Sequence, residues 1–177
     1  DSVDSSVIYD IDERSNLGMF LQWQGIHGAQ NFVAGARIDN NEQFGTHTTG
    51  NVDYALDLTS GYRLNMGYGT AFKSPSFNDL YYPGFGTPTL DVETSSSFEI
   101  GLSGDSYRGH WSIRGFQTSI EDLIGYDPVT WASVNVDKAR INGFEFEWDG
   151  LVRAGLLKNW EMETSLTLSD PIDRSTN

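Results

Sequence analysis

The chain has no cysteine, and its 11 Lys and Arg are outnumbered by 25 Asp and Glu, a formal charge of −14 over 177 residues. Without thiols no disulfide and no cysteine-based metal site can form. The shortage of cations leaves no basic patch to neutralise phosphates, which argues against nucleic acid as a partner. Also missing is any run of eighteen apolar residues, and with it a membrane-spanning helix. There is no Gly-x-Ser-x-Gly elbow, no His-Glu-x-x-His helix and no phosphate-binding glycine loop, so no catalytic residue and no cofactor is expected. His27, His47 and His110 are scattered over a turn, a loop and a strand start, and no metal site is expected from them.

What the chain does have is alternation. Phe32-Ala34-Ala36-Ile38 is apolar on one side while Arg37 and Asp39 stand on the other. Val52-Tyr54-Leu56-Leu58 alternates with Asp53, Ala55, Asp57 and Thr59, and Tyr62-Leu64-Met66-Tyr68 with Arg63, Asn65, Gly67 and Gly69. A period of two is the signature of strands. Leu17 to Trp23, Phe98 to Leu102, Trp111-Ile113, Phe144 to Trp148 and Trp160 to Leu168 repeat it, giving about eight strands, each near the length a tilted strand needs to cross a bilayer. The pattern breaks around Gly115-Phe116, which leaves the end of that strand open.

Beside the short turns sits a recurrent aromatic residue on the apolar face: Trp23, Phe32, Tyr62, Trp111, Trp148 and Trp160. A membrane-water interface selects such a girdle in a β-barrel. Connections are expected to alternate too. Gly25 to Gly28, Ser60-Gly61, Gly104 to Gly109 and the somewhat longer Gly150–Leu157 segment are short and Gly-rich, whereas Asn40 to Thr48, Phe72 to Thr94 and Glu121 to Asp137 read as long loops, as in outer-membrane barrels with the short side periplasmic. The opening Asp1-Ser2-Val3-Asp4 carries no signal peptide, and the stretch from Asp170 to Asn177 reads as the start of another long loop. Both ends point to a fragment. The acidic pairs in Asp10-Ile11-Asp12-Glu13 and Glu121-Asp122 have the oxygen chemistry of Ca²⁺ ligands, but solvated acids are commoner in loops.

Tyr68-Gly69-Thr70-Ala71-Phe72-Lys73-Ser74-Pro75, followed by Phe77-Asn78-Asp79-Leu80-Tyr81, resembles the strand-to-loop segment of TonB-dependent outer-membrane receptors, especially the vitamin B12 (cobalamin) transporters. Arg37-Ile38-Asp39 with Phe44-Gly45 resembles the Arg-x-Asp hairpin of that family. Pro88-x-Leu90-x-x-Glu93, and Asn135-x-x-Lys138-Ala139-x-Ile141-x-Gly143-x-Glu145, resemble the segments that follow in it. The likeness runs from about Gly35 to Glu147. Thr87 stands where Asn is usual and Val92 where Pro is usual.

The resemblance implies an all-β, antiparallel transmembrane barrel of 22 strands filled by a plug domain, with residues 1–177 forming about eight strands of the barrel domain and the plug absent. The implied ligand is cobalamin or an iron chelate, taken up with the help of the TonB complex acting through the plug. A siderophore or haem receptor of the same fold is the alternative within transport. A small closed barrel with a structural or adhesive role is the alternative from another class. In Tyr81-Tyr82-Pro83-Gly84-Phe85-Gly86 the rings of Tyr81, Tyr82 and Phe85 suit stacking on a large flat ligand. The polar-face residues Arg37, Asp39, Asp53, Asp57, Arg63, Lys73, Glu99, Arg114, Glu145 and Glu147 are expected to line the lumen, where they hold a plug, steer a solute or simply meet water. Glu145 and Glu147, two apart on a strand, fit polar lining better than a glycosidase pair. The outer-membrane lipid and, through divalent cations on the acidic exterior, lipopolysaccharide are the remaining expected partners, in the outer membrane of a Gram-negative cell.

Overall fold

The computed structural model describes residues 2, 9, 11–58, 61–154 and 157–173. Eight strands follow in chain order: β1 (Asn16–His27), β2 (Gln30–Asn41), β3 (Gly45–Asp57), β4 (Tyr62–Lys73), β5 (Glu93–Ser106), β6 (Gly109–Asp127), β7 (Ala132–Ala154) and β8 (Leu157–Asp173), with one helical turn, α1 (Phe77–Tyr81), between β4 and β5. Every strand pairs antiparallel with the next, in the order β1 to β8. The outer edges of β1 and β8 carry no further strand among the described residues, so the sheet is not closed.

Residues paired across antiparallel strands share a face, and the register therefore sorts the side chains. Leu56, Leu64, Leu102, Ile113, Phe146 and Leu166 form one cross-strand row. The next row, one residue along each strand, is Ala55, Asn65, Gly101, Arg114, Glu145 and Thr167. One face is thus greasy and the other wet. Leu17, Met19, Leu21, Trp23, Ile38 and Val52 on the greasy face are exposed, and an apolar surface spread over eight strands far exceeds what a protein surrounded by water tolerates. Here the apolar solvent is supplied from outside. Phe77, Leu80 and Leu90 are the buried hydrophobic side chains among the described residues, and all three belong to the segment between β4 and β5.

Three of the expected loops are corrected. Only residues 42–44 separate β2 from β3: the Asn41 side chain accepts the backbone N–H groups of Gln43 and Phe44 at 3.0 and 3.1 Å, and Gly45 takes a left-handed φ of 78°, which together close a tight turn. Residues 121–127 belong to β6 and 132–137 to β7, so the link between them is the turn 128–131. The segment Asp170–Asp173 is the end of β8 rather than a loop; residues 174–177 lie outside those described. Of the expected long connections only the one between β4 and β5 is long. At the opposite end the turns are short, as expected; Thr59, Ser60 and residues 155–156 lie outside the described set, and β7 and β8 shorten the Gly150–Leu157 link to those last two.

The break in pattern at Gly115-Phe116 does not end β6, whose pairing with β7 runs in unbroken register from Gly109 to Glu121. Phe116 points to the wet face and lies over Gly143, so closely that a Cβ at position 143 would collide with the ring. Any side chain at position 143 would have to displace that ring.

Candidate functional site

The segment between β4 and β5 is folded rather than loose. Ser76 caps α1: its hydroxyl accepts the Asp79 N–H at 3.2 Å, while Asp79 accepts the Ser76 N–H at 2.9 Å, the reciprocal arrangement that satisfies two orphan donors of a helix start. The chain then doubles back, with the Thr87 N–H donating to the Asp79 carbonyl at 2.8 Å. Gly86 passes so close to this turn that a Cβ would lie 2.6 Å from the Leu80 carbonyl oxygen.

This loop is anchored on two sides. On one, the Arg14 guanidinium donates to the Pro75 carbonyl at 2.8 Å and lies 5.0 Å from the Phe77 ring and 5.6 Å from that of Phe44, a cation held by aromatic faces. Gln43 of the β2–β3 turn donates to the Tyr81 hydroxyl at 2.6 Å. On the other, Ser133 donates through its N–H to the Phe85 carbonyl at 3.3 Å and through its hydroxyl to Asp79 at 3.2 Å. The loop therefore bridges from the β2–β3 turn to the β6–β7 hairpin. Of the three expected ligand rings, Tyr82 and Phe85 are exposed and 5.8 Å apart. Tyr81 is half-buried.

All ten polar-face residues fall on one side of the sheet by register. Arg37 grips Asp39 with both arms of its fork at 2.6 Å, and Asp39 is buried; this bidentate pair is the physical content of the Arg-x-Asp motif. Arg63 donates to Asp57 at 2.6 Å, Lys73 stands 3.6 Å from Glu93, and Asp53 accepts from Asn51. Arg114 sits between Glu99, at 3.2 Å, and Glu145, and Ser112 donates to Glu147 at 3.3 Å. The sheet curves around this side: Asp53, Arg63, Glu99, Arg114, Glu145 and Glu147 line a cavity of about 680 Å³.

The six girdle residues share the opposite face. Phe32 packs on Tyr54 at 4.9 Å and Tyr62 on Trp111 at 6.1 Å, and Trp111 pairs with Trp148. They climb diagonally. The row through Trp23 reaches β8 at Asp170, ten residues beyond Trp160. With ~3.3 Å per residue and ~4.8 Å between strands, that climb over seven strand steps is roughly 45°, the tilt of a strand in a barrel.

Sequence reasoning missed the anchors. Arg14 and Gln43 lie outside the alternating segments and carry no motif. Tyr126 and Trp131, exposed rings in a T-shaped pair 6.5 Å apart, were hidden in what read as a long loop; the turn chemistry of Asp127-Pro128 beside them was the available signal.

A curved antiparallel wall with tilted strands, one face greasy and one wet, and no closure is a section of a transmembrane β-barrel. The TonB dependent receptor-like, beta-barrel family model matches residues 1–176, and the chain belongs to that family. It is 37% identical over 151 residues to the vitamin B12 transporter BtuB of Photobacterium profundum, covering 77% of this chain and 24% of that protein. It is 32% identical over 174 residues to the vitamin B12 transporter BtuB of Vibrio vulnificus, covering 94% and 27%. The chain thus spans about a quarter of the length of these relatives. Among solved structures, the siderophore receptor PirA from Pseudomonas aeruginosa superposes with a TM-score of 0.71 at 19% identity over 88% of this chain and 32% of that one, a likeness of fold.

Proposed function

We propose that residues 1–177 are part of the wall of an outer-membrane, TonB-dependent transport receptor for vitamin B12. The observation that carries this reading is the identity to the two vitamin B12 transporters, over 77% and 94% of the chain, whereas the siderophore receptor shares the fold at much lower identity. In this reading the greasy face meets lipid, the girdle from Trp23 to Trp160 marks the periplasmic interface, and the α1 loop faces the outside, where lipopolysaccharide adjoins the acidic exterior. The wet face with Arg37, Asp39, Asp53, Asp57, Arg63, Lys73, Glu99, Arg114, Glu145 and Glu147 lines the lumen and receives the receptor's plug, through which the TonB complex acts. Most of its charges are already paired on the wall, so the lumen holds its shape without needing a partner for each ion. Tyr82 and Phe85 offer rigid rings to the ligand, while Tyr81, tied to Gln43, orients them.

The test is equilibrium binding of cyanocobalamin and of ferric enterobactin to the purified full-length receptor in detergent, for the wild type and for the Tyr81→Ala/Tyr82→Ala/Phe85→Ala variant. Wild-type binding of cyanocobalamin, weakened in the variant, supports the reading. Binding of the iron chelate alone replaces the substrate and keeps the family. Unchanged cyanocobalamin binding by the variant moves recognition away from this loop.

A further inference from the structure

The tip of the β6–β7 hairpin is built like a binding surface, although nothing in the alternation of the strands points to it. Tyr126, Val129 and Trp131 expose 57%, 84% and 62% of their surface, and clustered apolar exposure at a loop tip away from the greasy face has no packing role to explain it. The tip is rigid. Asp127 accepts the Val129 N–H at 2.8 Å and the Thr130 hydroxyl at 2.7 Å, and its carbonyl accepts the Trp131 N–H at 2.8 Å. Trp131 itself is held at a φ of +58°, a conformation a bulky residue adopts only where its surroundings impose it.

The hairpin tip also adjoins the rings of the α1 loop. Ser133, directly opposite Tyr126 in the ladder, is the residue that binds the Phe85 carbonyl and the Asp79 carboxylate. Two packed aromatic pairs, Tyr82 with Phe85 and Tyr126 with Trp131, therefore flank one junction. The chemistry between them is one-sided. Neither the segment 76–91 nor the segment 122–135 contains a Lys or Arg, while Asp79, Asp91, Asp122 and Asp127 all occur there. Lys73 and Lys138, on the flanking strands, are paired with Glu93 and Glu121.

From this we infer that Tyr126 and Trp131 form a second wall of the ligand site, opposite Tyr82 and Phe85, and that the site takes a large ligand through a broad conjugated or apolar face that is not anionic. An anionic iron chelate would meet carboxylates and no Lys or Arg within these two segments, Arg14 being buried against Pro75 and Phe77 on the loop's other side; a flat, electrically neutral ring system gains ring contacts on both sides without desolvating an unpaired charge. The inference rests on the transport reading above and deepens it by naming the residues and the ligand class.

The experiment uses the full-length receptor in detergent, with wild type, Trp131→Ala, Trp131→Phe and the Tyr81/Tyr82/Phe85 triple Ala variant, titrated with cyanocobalamin, haemin and ferric enterobactin. Heat-modifiable migration on gels checks that each variant retains its barrel. The expected result is wild-type binding of cyanocobalamin, weakened about tenfold or more by Trp131→Ala and largely restored by Trp131→Phe, with bound ligand quenching a larger share of tryptophan emission in wild type than in Trp131→Phe. Restoration by Phe separates a ring contact from mere support of the turn, since Ala and Phe are equally foreign to a left-handed position. Cyanocobalamin binding that Trp131→Ala leaves unchanged, while the triple variant weakens it, overturns the second wall and spares the transport reading. Tight binding of either anionic ligand, ferric enterobactin or haemin, overturns the ligand class, and binding of none of the three overturns both.

Discussion

The side chain of Asn135 in β7 brackets the backbone of Asp91 as a strand would: its Oδ1 accepts the Asp91 N–H at 2.9 Å and its Nδ2 donates to the Asp91 carbonyl at 3.2 Å. The same Nδ2 reaches the Asp122 carbonyl at 2.7 Å, where β6 takes a left-handed φ of 54°. One amide thus ties the end of the α1 loop to the β6–β7 hairpin. Removing it leaves polar backbone groups to find new partners, at about 1 to 3 kcal/mol. Asn135→Ala is expected to raise amide hydrogen exchange in residues 76–91 and to expose that loop to protease, with the strands unchanged. Equal protection in both proteins would show that Arg14 and Ser133 hold the loop by themselves.

Lipid exposure divides neighbours on β4. Leu64 lies in the greasy row and Asn65 in the wet one. For the full-length receptor folding into vesicles, Leu64→Arg, two residues inside the Tyr62 interface, is expected to cost about 1 to 2 kcal/mol, while Asn65→Arg is tolerated. A larger loss for Asn65→Arg than for Leu64→Arg would mean the faces are reversed, a shift of one residue in parity.

The two faces and the eight strands were legible because only half of each strand's residues meet lipid, and that half must be apolar all the way across. Where the strands leave the bilayer both faces are wet, and the period of two fades. This is why Glu121-Asp122 reads as loop although it continues β6, and why Asn40 to Thr48 hides a three-residue turn. Phe116 misleads for another reason: a ring on the wet face fills the space above Gly143, and a pattern of polarity cannot anticipate a partner on the next strand. In the candidate site the rings of Tyr81, Tyr82 and Phe85 were visible as residue types. Their anchors Arg14, Gln43 and Ser133 act from 38 or more residues away in sequence, beyond the reach of local spacing.

The girdle gives a depth prediction. In single-tryptophan versions of the full-length receptor, Trp23, Trp111, Trp148 and Trp160 should each be quenched more by lipids brominated near the headgroup than by lipids brominated near the bilayer centre. Deep quenching of all four, or quenching of none, removes the interface reading and with it the 45° diagonal as a measure of strand tilt.

Two turns carry an acid-sensitive clasp. Hydrogen bonds from the Val129 N–H and the Thr130 hydroxyl hold the Asp127 carboxyl below its ordinary range, and the Ser15 N–H and hydroxyl do the same for Glu42. A carboxylate whose folded pKa is depressed stabilises the fold above its unfolded pKa and loses that contribution as pH falls through the folded value. The β6–β7 tip and the link between Ser15 and Glu42 should therefore open on acidification below about pH 4, before the strand centres do. Hydrogen exchange corrected for its intrinsic pH dependence reads this. Asp127→Asn is expected to weaken the tip at neutral pH and flatten its response to acid; an unchanged acid response in that variant would assign the effect to another group.

Above all, the receptor containing this wall is expected to import vitamin B12 at the expense of energy delivered through TonB. The direct measurement is uptake of labelled cyanocobalamin by cells whose only receptor for it is the full-length parent, compared with and without a functional TonB complex. The expected result is uptake that requires both the receptor and TonB. Uptake of an iron chelate in a TonB-dependent manner, with no cyanocobalamin entering, would contradict the substrate while leaving the receptor family in place.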